Sequence, residues 1–239
     1  YLPHLDYGLQ KTGPSAAATG KEFGVLQTCL ETIAAAATEN DYAILLFSDY
    51  AIGDVSRPVF PNQLLLDNDL AHVRHVNGMH YPDLHTSSAF VVVDHQVAHV
   101  ICDSPATTAA AQELLAAQPD IDLVLDRDAQ AVHNIDHPRA GELVLVAAPG
   151  AWFAYPWWRE KRQAPDYATH VDIHNKPGYD PCELFFGPFL GTSQNHARIR
   201  GSHGRIDSNA VYGTNVELRL KELGTLVDLA AALGEVLDA

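Results

Sequence analysis

"YAILLFSDYAIG", residues 42–53, decides the reading of the fold. Its first six residues form a continuous apolar run of strand length. Such a run, apolar on both faces, is the pattern of a strand covered by helices on both sides in a parallel sheet. The helix that would feed it stands directly before it: between Lys21 and Asn40, the residues Phe23, Leu26, Leu30, Ile33 and Ala37 recur at helical spacing. Open α/β sheets build their sites at the carboxyl ends of their strands, and there stand Ser48, Asp49 and Tyr50. Position alone gives Asp49 two readings, a carboxylate of a site or the cap of a turn.

Downstream of Pro61 the texture changes to short elements. A helix is expected near Leu64 to Leu70, then a histidine-rich polar stretch from His72 to His85. "AFVVVDHQVAHVIC" (89–102) reads as one strand, with His95 and His99 on one face and Asp94 on the other. These three are structural residues or, His95 among them, candidates to line a site. Ser104 and Pro105 open a helix running to about Gln118, Ser as the cap and Pro at the first position. "IDLVL" (121–125) and "ELVLVAA" (142–148) are strands, and "AWFAYPWW" (151–158) is an aromatic strand or edge. The resulting β-α-β-β order suggests a small inserted α+β subdomain. Residues 159–204 are rich in Pro, Gly and His and read as long functional loops. "LVDLAAALGEVL" (226–237) closes the chain as a helix, with Thr225 and Asp228 in a capping-box relation. The expected division is an α/β core of 1–60 and 200–239, interrupted by 61–199.

Composition narrows the function. With 239 residues and 47% hydrophobic side chains, the chain can bury a core of ordinary size. Its net charge of −15 repels phosphate backbones, and its 15 Lys and Arg gather into no patch, so a nucleic-acid scaffold is excluded. No run approaches the roughly 18 to 20 apolar residues that span a bilayer, and no targeting signal is visible. Cys29, Cys102 and Cys182 are an odd number without a C-x-x-C pair, which favours reduced thiols and a cytoplasmic location. The one methionine is Met79, so the chain is expected to be a processed product or a portion of something longer.

Four polar clusters carry chemistry-bearing residues: Asp6 with Gln10 in "YLPHLDYGLQKTGP" (1–14), Asp49 with Tyr50, "HVDIHNKPGYDP" (170–181), and "GSHG" (201–204) around His203. Asp and His are ligands that zinc and similar ions favour, and the flanking glycines of "GSHG" allow a metal or a phosphate to come close.

Together, in this order, the clusters resemble the type I phosphodiesterase/nucleotide pyrophosphatase branch of the alkaline phosphatase superfamily, over nearly the whole chain. That family carries Y-x-P-x-x-D-x-x-x-H ahead of a Gly-Pro, a buried strand ending in Ser-Asp-His-Gly about forty residues on, and a late Gly-x-His-Gly loop followed by a terminal helix. The resemblance implies an alkaline phosphatase-like, mostly parallel sheet sandwiched by helices. It also implies a metal-dependent hydrolase of phosphate esters, with two divalent ions, zinc first and manganese or iron as alternatives, flanking a threonine or serine nucleophile. Asp6, the Gln10 position and His203 would hold one ion. Asp49, the Tyr50 position, the nucleophile and a further aspartate would hold the other, with the last two lying before Tyr1. The partners so implied are a phosphorylated small-molecule substrate and an N-terminal half of the same protein.

Two positions depart from the family pattern: Gln10 and Tyr50 stand where it has histidines. A neutral amide oxygen is a poor zinc ligand beside imidazole, and a phenol binds strongly only once deprotonated. A divergent bacterial branch of the family resembles this chain in both replacements and in "DHQVAHV" and "DIHNKPGYDP". On that likeness Asp172, His174 and Asp180 are replacement ligands or substrate contacts. Read as residues alone, the same segment is an ordered turn with Pro177-Gly178 at the bend. The alternative function is a non-catalytic relative that binds a phosphorylated small molecule or a protein.

Overall fold

Asp6 and Gln10, four residues apart, share one face of the first helix, α1 (His4–Thr12). The computed structural model describes residues 1–169, 195–219 and 224–238. Helix α1 stops where Gly13 adopts a φ of +80°, a conformation natural to glycine alone. Helix α2 (Thr19–Glu39) is the one its periodicity predicts. There follow β1 (Leu45–Phe47), β2 (Gly53–Asp54), β3 (Arg57–Val59) and α3 (Pro61–Asp67), which starts three residues before the expected Leu64 and ends three before Leu70. The hairpin β4 (Val73–Val76) and β5 (Met79–Pro82) occupies the histidine-rich stretch. Its turn, Asn77-Gly78, has positive φ at both residues, the geometry that matches strand twist in two-residue hairpins.

The four-stranded sheet at the centre of the chain is built from β6 (Ala89–Asp94), β7 (Val97–Cys102), β8 (Ile121–Leu125) and β9 (Leu143–Ala147). Its order is β6-β7-β9-β8, every neighbouring pair antiparallel. Helix α4 (Pro105–Ala116) is capped by Ser104, whose side chain accepts from the Thr107 amide, and the short α5 (Arg127–Val132) is capped by Asp126. All five residues of β9 are buried because both faces are covered. Leu143, Leu145 and Ala147 join the main core with Leu65, Ala111, Leu115, Phe153 and Trp157, while Val144 and Val146 pack with Leu125 beside Ala129 of α5. The edge strand β6 is closed from α3: Asn62, fully buried, donates to the Val91 carbonyl at 2.8 Å and accepts from the Val91 amide at 2.8 Å. The remaining strands and α-helix among the described residues are β10 (Ala151–Phe153), β11 (Gly201–Ser202), β12 (Tyr212–Thr214) and α6 (Leu226–Leu237), the last with the capping box of Thr225 and Asp228 in place.

The class is α/β, as the sequence reads. The described pairings are nevertheless antiparallel in all but one case, β10 beside β3. The run "YAILLF" furnishes only the three-residue β1, paired antiparallel with β12. Two helices do not cover it among the described residues, since Leu46 is 39% and Phe47 60% exposed. An apolar run reports a demand for cover. It does not report strand direction, which the partner β12, more than 160 residues on, decides. A second correction concerns residues 89–102, which form a hairpin instead of one strand. The chain reverses at His95 and Gln96, so His95 lies in the turn while His99 sits in β7 opposite Val92.

Candidate functional site

Four segments converge on the imidazole of His203. Strand β11 is laid against α1 so closely that any Cβ on Gly201 would run into the Leu9 carbonyl and the Ile52 side chain. The Arg200 amide donates to the Gln10 carbonyl at 2.8 Å, and the Val55 amide to the Arg200 carbonyl at 2.9 Å. On its other side the loop is held by the β6–β7 turn, where the Gln96 amide donates to the His203 carbonyl at 2.8 Å. That turn is itself fixed: Phe153 donates to the His95 carbonyl at 2.8 Å, and the buried Gln96 side chain donates to the Ala151 carbonyl at 2.8 Å. Two residues past His203, Arg205 reaches Asp122 at 3.0 Å, Asp207 and the Ala147 carbonyl, clamping the loop to the sheet.

The side chains meet as follows. The Tyr50 ring stacks flat on His203, centroids 3.8 Å apart and planes 12° apart. His95 lies against the same imidazole at 4.0 Å. It does so from a backbone φ of +60°, a strained conformation that histidine tolerates better than most residues. The His95 side chain is only 10% exposed, with its Nε2 3.5 Å from the Asp94 carboxylate. In α1 the Gln10 amide donates to Asp6 Oδ1 at 2.9 Å, and the Tyr50 phenol is hydrogen-bonded to the same carboxylate. Asp49 is exposed, and its charge acts on both Tyr50 and His203.

Electrostatics follow from this packing. Burial, helped by the neighbouring charges of Asp6 and Asp49, raises the Tyr50 phenol well above its ordinary range, so it stays protonated. Burial, with His95 beside it, pushes His203 down to about 4 against the opposing pull of Asp6, Asp94 and Asp49. His203 is therefore a neutral imidazole at pH 7.

Asp6, Gln10, Asp49, Tyr50, His95 and His203 are thus brought together. His99 is not: its Nδ1 accepts from the Gly141 amide at 3.2 Å inside the sheet, where burial lowers its pKa. Asp172, His174 and Asp180 lie outside the described residues, as does Cys182. Two contributors escape a reading of the sequence, the Gln96 bridge and the Arg205 clamp. The signal for the first was length, since fourteen residues exceed a usual strand and the polar "DHQ" sits at their centre.

The donors of this corner are already committed to one another. Asp6 has two of its acceptor sites taken by Gln10 and Tyr50, Gln10 presents its NH2 to Asp6, and the Tyr50 phenol is protonated. Among the described residues no three His, Cys, Asp or Glu are grouped to hold an ion. The described set therefore does not fit zinc, which needs three or four such ligands aimed at one point.

Comparison with solved structures returns phosphonoacetate hydrolase from Sinorhizobium meliloti 1021. In complex with phosphonoformate it has a TM-score of 0.56 at 15% identity, with 97% of this chain and 49% of that one covered. In complex with phosphonoacetate the values are 0.53 and 16%, over the same shares. Murine ectonucleotide pyrophosphatase/phosphodiesterase 5, in an inactive form with AMP, matches at a TM-score of 0.46 and 17% identity over 62% of this chain and 36% of its own. The chain spans about half the length of the hydrolase. No curated protein matches it. The likeness to the hydrolase is one of fold, alkaline phosphatase-like and of the phosphodiesterase/pyrophosphatase hydrolase type. Residues 1–180 match the family model for type I phosphodiesterase/nucleotide pyrophosphatase, three quarters of the chain, and the chain belongs to that family.

Proposed function

We propose that this chain is part of a hydrolase acting on a phosphate or phosphonate ester of a small molecule, and that Asp6, Asp49 and His203 form one wall of its reaction centre. The observation that carries the reading is the convergence of α1, the exit of β1, the β6–β7 turn and the 201–204 loop on one neutral imidazole, in a chain of this family. His203 can take up or return a proton there, while Tyr50, its one O–H committed to Asp6, holds that imidazole in place by stacking on it. Zinc, manganese or iron is the cofactor the resemblance implies, but the described donors do not fit one and no step here runs through an ion. The division into a core of 1–60 and 200–239 with an inserted 61–199 belongs to the same proposal. So does a cytoplasmic location, supported by the unpaired Cys29 and Cys102; among the described residues no helix is long and apolar enough to cross a membrane.

A second reading, a relative that binds a phosphorylated small molecule without turning it over, is favoured by the two internal hydrogen bonds that Asp6 already accepts. Two measurements on the purified chain decide: calorimetric titration with phosphonoformate, and release of nitrophenol from a nitrophenyl phosphodiester. Turnover lost in Asp49→Asn establishes the hydrolase. Saturable binding weakened by His95→Ala, with no turnover, establishes the binding reading. Absence of both overturns the proposal.

A further inference from the structure

The two positions at which this chain leaves its family's pattern are the two whose side chains now hold Asp6 and His203. We infer that Gln10 and Tyr50 close this corner without a metal ion, so that hydrogen bonds and ring stacking do the joining that an ion would do. An ion bridging Asp6 and His203 needs a carboxylate oxygen and a ring nitrogen aimed at one point, with further ligands aimed at the same point. Here the third and fourth groups aim elsewhere. Gln10 directs its NH2 to Asp6 Oδ1 at 2.9 Å, and Tyr50 directs its hydroxyl to the same carboxylate. The charge of Asp6 is met by two protons from neutral donors. The Tyr50 ring then lies flat on His203 at 3.8 Å, and His95 takes the room beside it at 4.0 Å.

The arrangement is consistent at each level. Gln10 is on the face of α1 that carries Asp6, one turn away, where a glutamine amide and an aspartate meet. Tyr50 leaves the end of β1 and spans the gap between Asp6 and His203 with one rigid side chain. The result is a latch that ties α1, the β1 exit, the β6–β7 turn and the 201–204 loop together. The inference rests on family membership and on these contacts, and it stands whether or not the chain turns over a phosphate ester.

Elemental analysis and thermal melts of the whole chain test it, with wild type, Asp6→Asn, His203→Ala, Gln10→His/Tyr50→His and that double variant carrying His203→Ala. Wild type is expected to melt at the same temperature with and without a chelator, and any ion it carries should be retained in Asp6→Asn and His203→Ala. The Gln10→His/Tyr50→His variant is expected to bind zinc at least about tenfold more tightly than wild type, and to lose that gain with His203→Ala. A stoichiometric ion in wild type that either single variant loses, with a melt lowered by chelation, would overturn the inference. So would a folded double variant that gains no zinc, because Gln10 and Tyr50 would then not be what closes the corner. If the double variant does not fold, the comparison of wild type with Asp6→Asn and His203→Ala still decides.

Discussion

Acid should loosen this protein through His203 before it protonates the carboxylates. The imidazole titrates near 6.5 when unfolded and near 4 in the fold, where burial and His95 outweigh the pull of Asp6, Asp94 and Asp49. A base with a lowered folded pKa binds its proton first in the unfolded state. Stability therefore rises with pH between about 4 and 6.5, is fully present above the unfolded value, and is lost as pH falls through the window. At about 1.4 kcal/mol per unit, the full effect is on the order of 3 kcal/mol. Urea unfolding at half-unit pH steps from 4 to 8, on wild type and His203→Gln, measures it. The glutamine keeps an amide donor and acceptor but has no proton to gain, so the difference in unfolding free energy between the two proteins should grow with pH across the window and level off above it. Parallel pH profiles would refute the reasoning, because they would mean that His203 is solvated in the fold as it is in the unfolded chain.

Asn62→Ala strips both hydrogen bonds from the buried Val91 backbone and should lower stability by about 2 to 5 kcal/mol in chemical denaturation. Gly201→Ala drives a methyl group into the Leu9 carbonyl and should destabilise by about 1 to 3 kcal/mol, with loss of His203 ordering visible as a changed imidazole resonance. Asp6→Asn should leave phosphonoformate affinity unchanged or raise it, measured by calorimetry, because it removes a negative charge from the wall; a tenfold loss would point to a cation bridging Asp6 and the ligand.

How much of this was legible in the sequence depends on range. Elements set by local signals were readable: α2 from its apolar period, α4 from Ser104-Pro105, α6 from Thr225 and Asp228, and β8 and β9 from their apolar runs. The hairpin turn at His95 was not, because its residues are neither Asn-Gly nor Gly-rich and the left-handed backbone is imposed from outside. The Phe153 amide bonding to the His95 carbonyl and the Gln96 side chain bonding to Ala151 are contacts over fifty residues apart in sequence. Strand direction was equally invisible, since "YAILLF" says nothing of β12. At the site, the motifs named the residues that meet, but not how they meet. That Gln10 would donate to Asp6 and Tyr50 would stack on His203 follows from side-chain geometry, which spacing does not contain.

The charge around His203 constrains where a phosphate can sit. Three carboxylates, Asp6, Asp49 and Asp94, act on the imidazole, and the groups acting on Tyr50 include two of the same three. Neither residue feels a lysine or an arginine among its principal influences, and the nearest arginine in sequence, Arg205, is committed to Asp122 and Asp207. A phosphoryl oxygen about 4 Å from one such carboxylate is opposed by about 4 kcal/mol at an effective dielectric constant near 20, and a dianion by more. Under the proposed function, this wall is therefore not what anchors the phosphate. In the proposed hydrolase the positive charge that anchors the phosphate then comes from groups beyond these side chains, and the corner faces the less charged side of the ester, where a neutral imidazole can take up a proton without opposing the bound anion.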